Sequence, residues 1–497
     1  MTASSPAPPS APAPPTPKPK SLQSRALHGS AVIIVGHGMT QVIRFGSTLV
    51  LTRLLAPEVF GMMALVQLWM TGMEMLSDVG LRANVIRSKR GSDPEFLDTA
   101  WSIQILRGAL LFVGGLLMAA PVAAFYGEPI LAQLLPVTAA SALLLGVRST
   151  RIHTLSREMH VGKVVAIQIA ARVSAIIVSV SLAWWFRSVW ALVCGAVSAA
   201  FVECVISHLL LSGHRNRLRW ERTAAKEIIH FGKWIFLSTV VTFLATRLDL
   251  IILGKLLSLE VLGVYNIALM FAMLPQEICG RLSDAVFLPA LAEAYRQGMD
   301  RLRSAYRKAQ RVLIPLALLI VASITLLAPP GIALLFPEKY VNAGQMVQFL
   351  MLTVWFFFLQ RFANRVLLAI GDSRAVAFGN IVKLVFTAGC SVVGYQWGDL
   401  EGFLLGLGLG AFAGHVVAMI ALGRHGIPCA TYDMTRTAAG LLYVVPGAFL
   451  TAGQPWLPLP DREPITLAVA GVIWLLPVAL WAGMRGRALW MERSSPS

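Results

Sequence analysis

The sequence predicts an all-α polytopic membrane protein. About fourteen transmembrane helices are expected, as two six-helix bundles related by a pseudo-twofold axis along the membrane normal plus two extra C-terminal helices. Three observations predict it. Of 497 residues 56% are apolar and only 13% charged, with a mean hydropathy of +0.69, where a soluble chain would carry charge on about 25% of its residues. Nearly uncharged stretches of helix length recur, as in 110–120, 313–327 and 404–422. One segment of the first half also returns in the second.

In chain order, residues 1–25 form a Pro/Ala-rich tail, too poor in large apolar side chains to fold, to enter a membrane or to serve as a cleavable signal peptide. Apolar windows then place spans near 28–52, 59–84, 99–123, 130–150, 161–184 and 189–212 in a first bundle (26–212). A basic linker (213–229) follows. The second bundle (230–423) holds spans near 230–254, 261–287, 311–334, 343–370, 375–396 and 400–422. Residues 424–497 supply two more, near 435–452 and 465–483, and a tail. The longest connections, 213–229 and 288–310, are too small for an extramembrane domain.

Charge placement tests this count. With the N-terminus inside, the inner loops hold 27 Lys and Arg and the outer loops only five: Arg53, Arg187, Lys255, Lys339 and Arg462. Cytoplasmic loops collect cations, so both termini are expected in the cytoplasm. The formal charge of +17 is then spent on orientation and on anionic membrane lipids, not nucleic acid. The five cysteines form no metal or disulfide pattern. No metal, cofactor or catalytic residue is expected.

The repeat sets the symmetry. LTRLLAPEVFGMMAL at 51–65 matches LGKLLSLEVLGVYNI at 253–267, an offset of 202 that aligns Glu58 with Glu260, Val59 with Val261 and Gly61 with Gly263. Each copy is the tight outer turn between the first two helices of a bundle. An even number of helices separates them, so the halves share one orientation, the arrangement in which two bundles rock about a central site.

Ten cations remain within the spans, among them Arg82, Lys233, Arg361 and Arg365, against six carboxylates: Glu74, Asp78, Glu203, Asp249, Glu277 and Asp284. A charge at a helix centre costs roughly 2.5–3.5 kcal/mol, so these side chains must face protein or a hydrated cavity. Spacing by four suggests Asp78–Arg82 and Glu277–Arg281 pairs on single helix faces, and Lys233 and Arg361 can snorkel to the interface. The net positive balance still implies a hydrated cavity or an anionic ligand. Arg44, Arg247, Arg281, Arg107, Arg172 and Lys383 are the candidate cavity cations. Arginine suits phosphate because its planar fork gives two parallel hydrogen bonds.

Asp249, two residues from Arg247, faces a different direction, and with Glu74 and Asp78 it is a candidate for a coupled proton or cation. His37 and His415 fall in spans, where each is either a titrating group or a core histidine. Pro121, Pro275, Pro315 and the Pro329–Pro330 pair mark hinge points, and the glycines of 402–414 allow close helix approach.

Several stretches resemble a known family: RLLAPEVFGMMALV, SDVGL at 77–81, FGKWIFLSTVVTFLATRLDLIILGKLLSLEVLGVYNIA, and FLPALA at 287–292. They are similar to the polysaccharide transporter flippases, Wzx-type and colanic-acid-exporter-like, of the multidrug/oligosaccharidyl-lipid/polysaccharide exporter superfamily. The family's L-x-P-x-x-F/Y-G turn is met at Leu55, Pro57, Phe60 and Gly61. Its D-x-x-x-x-G pattern is met at Asp249 and Gly254, followed by Gly263 and Tyr265. The resemblance implies a cationic cavity and a flippase for undecaprenyl-diphosphate-linked oligosaccharide repeats in a bacterial inner membrane, acting without covalent chemistry beside polysaccharide polymerase and glycosyltransferases. Two alternatives stay open. A cation-coupled multidrug exporter of the superfamily would favour a cavity rich in carboxylates, and a membrane-embedded polymerase, ligase or glycosyltransferase would want a sizeable outer loop.

Overall fold

The structure, a computed structural model, describes residues 22–78, 80–158, 160–211, 214–282, 287–427, 429–451, 464, 466–477 and 479. The side chains of 22–34, 37, 82–83, 87, 161, 229–238, 240–242, 278–279, 281–282, 430 and 449–451 lie outside the description. Of the predicted N-terminal tail, only the last four residues are described, and they open a helix.

The first half contains α1 (Leu22–Leu54), α2 (Pro57–Leu76), α3 (Leu81–Arg87), α4 (Pro94–Tyr126), α5 (Leu131–Val147), α6 (Arg151–Arg157), α7 (Val161–Phe186) and α8 (Trp190–Leu209). The second contains α9 (Arg222–Leu256), α10 (Leu259–Leu282), α11 (Leu288–Arg296), α12 (Met299–Leu335), α13 (Ala343–Ala369) and α14 (Ser373–Arg424). Beyond them lie α15 (Ala430–Thr451) and α16 (Thr466–Pro477). Among the described residues no strand occurs.

Local chemistry sets the helix ends. Pro57 and Pro94 open α2 and α4, where a missing N–H costs nothing. Asp93 and Asp372 cap α4 and α14 by accepting from the N–H groups of Glu95 and Ala375 at 3.2 and 3.0 Å. Inside α14 the backbone turns back on itself at Gly398 and Asp399, the latter at φ 47°. Two antiparallel arms result, 373–397 and 400–424, where the sequence separates two spans, and the second arm's glycines close onto the first: Gly406 packs on the Cys390 carbonyl.

Eight helices are long and apolar enough to cross a bilayer, among them the doubled α14. That count, made on length and composition among the described residues, stops short of the expected fourteen. It leaves out α1 and α9, whose middles carry Arg44, Arg247 and Asp249. Exposed apolar side chains on the outward faces, such as Leu117 on α4 and Val385 on α14, and exposed Trp184, Trp185 and Trp397 at helix ends suit lipid and its interface.

Three details depart from the sequence reading. The second span, expected near 59–84, is not one continuous helix: α2 stops at Leu76, and Gly80, at φ 64°, starts α3. Asp78 and Arg82 therefore share no helical face, and Asp78 Oδ1 instead accepts from the Gly80 N–H at 2.8 Å. Most of 288–310, expected as a loop, is helical: α11 is strongly amphipathic, and α12 begins with charged turns before its apolar length. Arg361 does not snorkel. It is half-buried in mid-α13 and points Nη2 at the Gly280 carbonyl, 3.4 Å away.

The repeat is a symmetry of the fold. Contacts of α4 with α5, of α7 with α8 and of α1 with α7 recur as α12 with α13, arm with arm in α14, and α9 with α14. The 55–57 and 257–259 turns lie at one end, here the turn end; the linker lies at the other. At the turn end the halves meet through α2 and α10. A Cβ on Gly61 would overlap the Leu259 carbonyl, and one on Gly263 would overlap the Pro57 carbonyl; 57 and 259 are themselves one repeat apart. Lys339 Nζ donates to the Leu55 carbonyl at 2.7 Å, and Arg53 Nη2 reaches the Leu335 carbonyl at 3.4 Å.

At the linker end, residues 214–221 are strapped to the first half. Arg90 pairs with both Asp93 and Glu221, Arg219 with Glu95, and the Asp98 carboxylate accepts from the Arg217 N–H and faces His214 Nε2 at 2.7 Å.

Candidate functional site

The intramembrane cations fall into two groups that follow the symmetry. In the first half, Arg44 on α1 is the neighbouring charge that Arg172 on α7 feels. In the second, Arg247 on α9 and Lys383 on the first arm of α14 both bear on Asp249. The helices correspond: α7 packs on the first helix of its half, and the first arm of α14 belongs to the helix that packs on α9. Each half thus presents two cations from equivalent helices. No acid at the repeat position answers Arg44 and Arg172, because the residue 202 before Asp249 is Ser47. Arg44 Nη2 is buried with no hydrogen-bond partner among the described residues, a costly state that an anionic ligand would relieve.

Asp249 turns toward the neighbouring helix, as its spacing from Arg247 requires: Tyr265 Oη on α10 donates to its Oδ2 at 2.6 Å. Lys383 Nζ and Arg361 Cζ lie 5.1 and 5.8 Å from the centre of the Phe357 ring, within reach of the ring's negative face. Sequence reasoning passed over Phe357 and gave Arg361 to the interface. The signal was a cation four residues after an aromatic ring on one helix, which places both on one face. The halves also touch within this region, where Gln41 Nε2 on α1 donates to Glu277 Oε2 on α10 at 2.6 Å.

The other candidates sit elsewhere. Arg107 on α4 donates from Nε to Ser77 Oγ at 3.0 Å and from Nη2 to the Glu74 carbonyl at 2.7 Å, closing the end of α2. With Glu74, Asp78, Gln104, Arg148 and His153 it lines a cavity of about 270 Å³ inside the first half. Arg148 is paired there with Glu203 at 2.5 Å. Glu74 and Asp78 thus share a site in one half while Asp249 occupies the other. The side chains of Arg281, Arg82, Lys233 and His37, and all of Asp284, lie outside the described residues. Among the described residues, no group of three or more His, Cys, Asp or Glu could hold a metal ion.

Two like-oriented helical halves that meet at the turn end and again where α9 packs on α3 and α4, with like-charged residues on equivalent helices, define a polytopic membrane protein of the transporter fold class. The fold matches a solved structure titled lipid II flippase MurJ, in an inward closed conformation, at a TM-score of 0.68 and 12% identity, covering 90% of this chain and 97% of that one. The family model described as polysaccharide biosynthesis protein matches residues 50–345. The chain belongs to that family. Among curated proteins it is similar to the lipopolysaccharide biosynthesis protein WzxC of Escherichia coli K12, 21% identical over 66% of this chain and 67% of that protein. It is also similar to the teichuronic acid biosynthesis protein TuaB of Bacillus subtilis 168, 22% identical over 54% of this chain and 56% of that protein.

Proposed function

We propose that this chain is a flippase. It carries undecaprenyl-diphosphate-linked oligosaccharide repeats across the bacterial inner membrane by alternating access, for exopolysaccharide, capsule or O-antigen assembly. One observation carries the reading: two pairs of cations on symmetry-equivalent helices, Arg44 with Arg172 and Arg247 with Lys383. A diphosphate headgroup must cross about 30 Å of hydrocarbon, and cations that share too few carboxylates replace the water it leaves behind. Names of relatives in lipopolysaccharide and teichuronic acid biosynthesis and the MurJ-like fold support the same substrate class.

The two moving bodies are 26–212 and 230–423, with the linker at 213–229 and an appendage at 424–497. Contacts at the turn end make this the state closed there, and the positive-inside pattern puts that end in the periplasm and both termini in the cytoplasm. Arg107 serves the first half structurally, Arg281 joins the cavity set, and Glu74, Asp78 and Asp249 are the coupling carboxylates. The chain performs no covalent chemistry, and polymerase and glycosyltransferases act before and after it. The test is export: in a strain lacking the native gene, Arg44→Ala and Arg247→Ala, at normal membrane abundance, should abolish surface polysaccharide. Full polymer levels in both would overturn the assignment.

A further inference from the structure

A buried polar cluster lies where the appendage meets the second half, one residue along the second arm of α14 from Gly414, where an added Cβ would lie 2.9 Å from the Lys383 Cβ. His415 on the second arm of α14 is 0% exposed and Asp433 on α15 is 1% exposed, and His415 Nε2 stands 3.6 Å from Asp433 Oδ2. Neither ring nitrogen of His415 has a hydrogen-bond partner among the described residues. The other carboxylate oxygen accepts from Gln310 Nε2 on α12 at 3.0 Å. Cys429, just before α15, lies beside both Asp433 and Tyr306 of α12. One turn on, Thr437 Oγ1 donates to the Asp433 carbonyl at 2.8 Å and receives Trp355 Nε1 of α13 at 3.0 Å. The titratable groups facing the pair are thus Tyr306 from α12 and Cys429 from the chain entering α15, each neutral in ordinary conditions. At the same end Arg303 is engaged with Asp300 at 2.9 Å, and Arg436 stacks over Tyr432.

We propose that His415 and Asp433 form a proton-binding site that fastens α15 to the second half, with the proton as its ligand. The physical reason is charge counting. With no proton beyond the neutral imidazole's own, the pair carries one uncompensated negative charge in a dry core; with two it carries one positive charge. Either costs several kcal/mol. With one proton the site is neutral, whether that proton rests on the carboxyl or on the imidazolium, and a shift of under an ångström from 3.6 Å makes it the bridging hydrogen bond. Releasing the proton therefore requires water to reach Asp433, which requires α15 to lift.

The geometry favours motion there. Beyond Thr437 the helix borders a crevice of about 400 Å³ between α12, α13 and the second arm of α14, lined by Leu352, Trp355, Gly440 and Val444. Beside and past the crevice α15 regains contact, with Gly440 and Gly447 closing on Leu318 and Leu326 of α12, so the polar cluster is the first of two holds on the helix.

The experiment is amide hydrogen exchange of the whole protein in lipid nanodiscs across a pH series, read at residues 430–437 and corrected for intrinsic exchange. The wild type should lose at least about tenfold of its protection as pH rises and the shared proton leaves. Asp433→Asn, which cannot become an anion, should stay protected throughout, and His415→Gln should move the transition. Wild-type protection independent of pH, an Asp433→Asn curve that follows the wild type, or a transition unmoved in His415→Gln would each overturn the proposal. No substrate enters the measurement, so its outcome is separate from that of the flippase reading.

Discussion

Gly61 and Gly263, 202 residues apart in sequence, face each other across the pseudo-twofold axis. The position of a Cβ on Gly61 lies 3.0 Å from the Gly263 nitrogen, and that of a Cβ on Gly263 lies 3.1 Å from the Gly61 nitrogen. Each also sits against the backbone carbonyl at the repeat position of the other half's turn. A surface that meets its own copy in this way is isologous, as at a twofold dimer interface. Here the two copies are joined in one chain.

Gly61→Ala should therefore strain the closed turn end, since backbone on both sides has little room to yield. A loss of about 1–3 kcal/mol is expected for overpacking of this kind, with Gly263→Ala equivalent and the double variant less than additive. Thermal unfolding of the purified protein checks it. Unchanged midpoints in both single variants would mean that the halves do not approach so closely.

Arg107 and Arg44 should behave oppositely. Arg107→Ala removes two hydrogen bonds from the end of α2 and should cost about 1–3 kcal/mol of stability, visible as lower membrane abundance. Arg44→Ala removes a guanidinium whose Nη2 has no partner among the described residues, and stability should change by no more than about 0.5 kcal/mol while export falls. Equal abundance losses would place Arg44 in the structural set.

Tyr265→Phe takes the 2.6 Å donor from Asp249 and leaves a carboxylate beside Arg247 and Lys383 without it. A cost of about 1–3 kcal/mol follows. In a double-mutant cycle with Asp249→Asn, the two changes should couple by at least about 0.5 kcal/mol. Strict additivity would show that the contact contributes nothing.

The linker should hold far into acid. Hydrogen bonds from Arg90 and Thr223 hold the Glu221 carboxyl down at about 2, below the ordinary 4.5. For a carboxylate depressed on folding, the contribution is complete above the ordinary value and is lost as pH falls through the depressed one. Limited proteolysis at 214–221 should thus be unchanged between neutral pH and the ordinary carboxylate range and should rise only as pH approaches 2. Release already near 4.5 would contradict the clamp, and Glu221→Gln should raise cleavage near 221 at neutral pH while Arg219–Glu95 and Asp98 still hold 214–219.

Much of this fold is legible in the residues because a bilayer imposes one length scale on every span, and the Glu-Val-x-Gly turns disclose the repeat that Gly61 and Gly263 then embody. The break after Leu76 was signalled by Ser77, Asp78 and Gly80, residues that favour turns, but a window set by span length runs straight through them. The equivalence of Arg172 and Lys383 was hidden for another reason: they are 211 residues apart, off the offset of 202 that the turns obey, so only packing on α1 and α9 relates them. Arg107 does line a cavity, inside the first half, but nothing local says that it also holds the carbonyl of Glu74 and the hydroxyl of Ser77, thirty-odd residues earlier. Asp433 stood at a helix start, and its approach to His415 is a tertiary event.

The central claim, that Arg44, Arg172, Arg247 and Lys383 receive an anionic lipid headgroup, is tested most directly by binding. The measurement is the affinity of the purified protein in nanodiscs for an undecaprenyl-diphosphate-linked oligosaccharide, compared with the same lipid lacking its diphosphate. The account predicts that the diphosphate lipid binds more tightly, that each single Ala variant weakens it by about tenfold or more, and that the lipid without diphosphate is indifferent to all four. Equal affinity for the two lipids, or four variants that bind like the wild type, would contradict it.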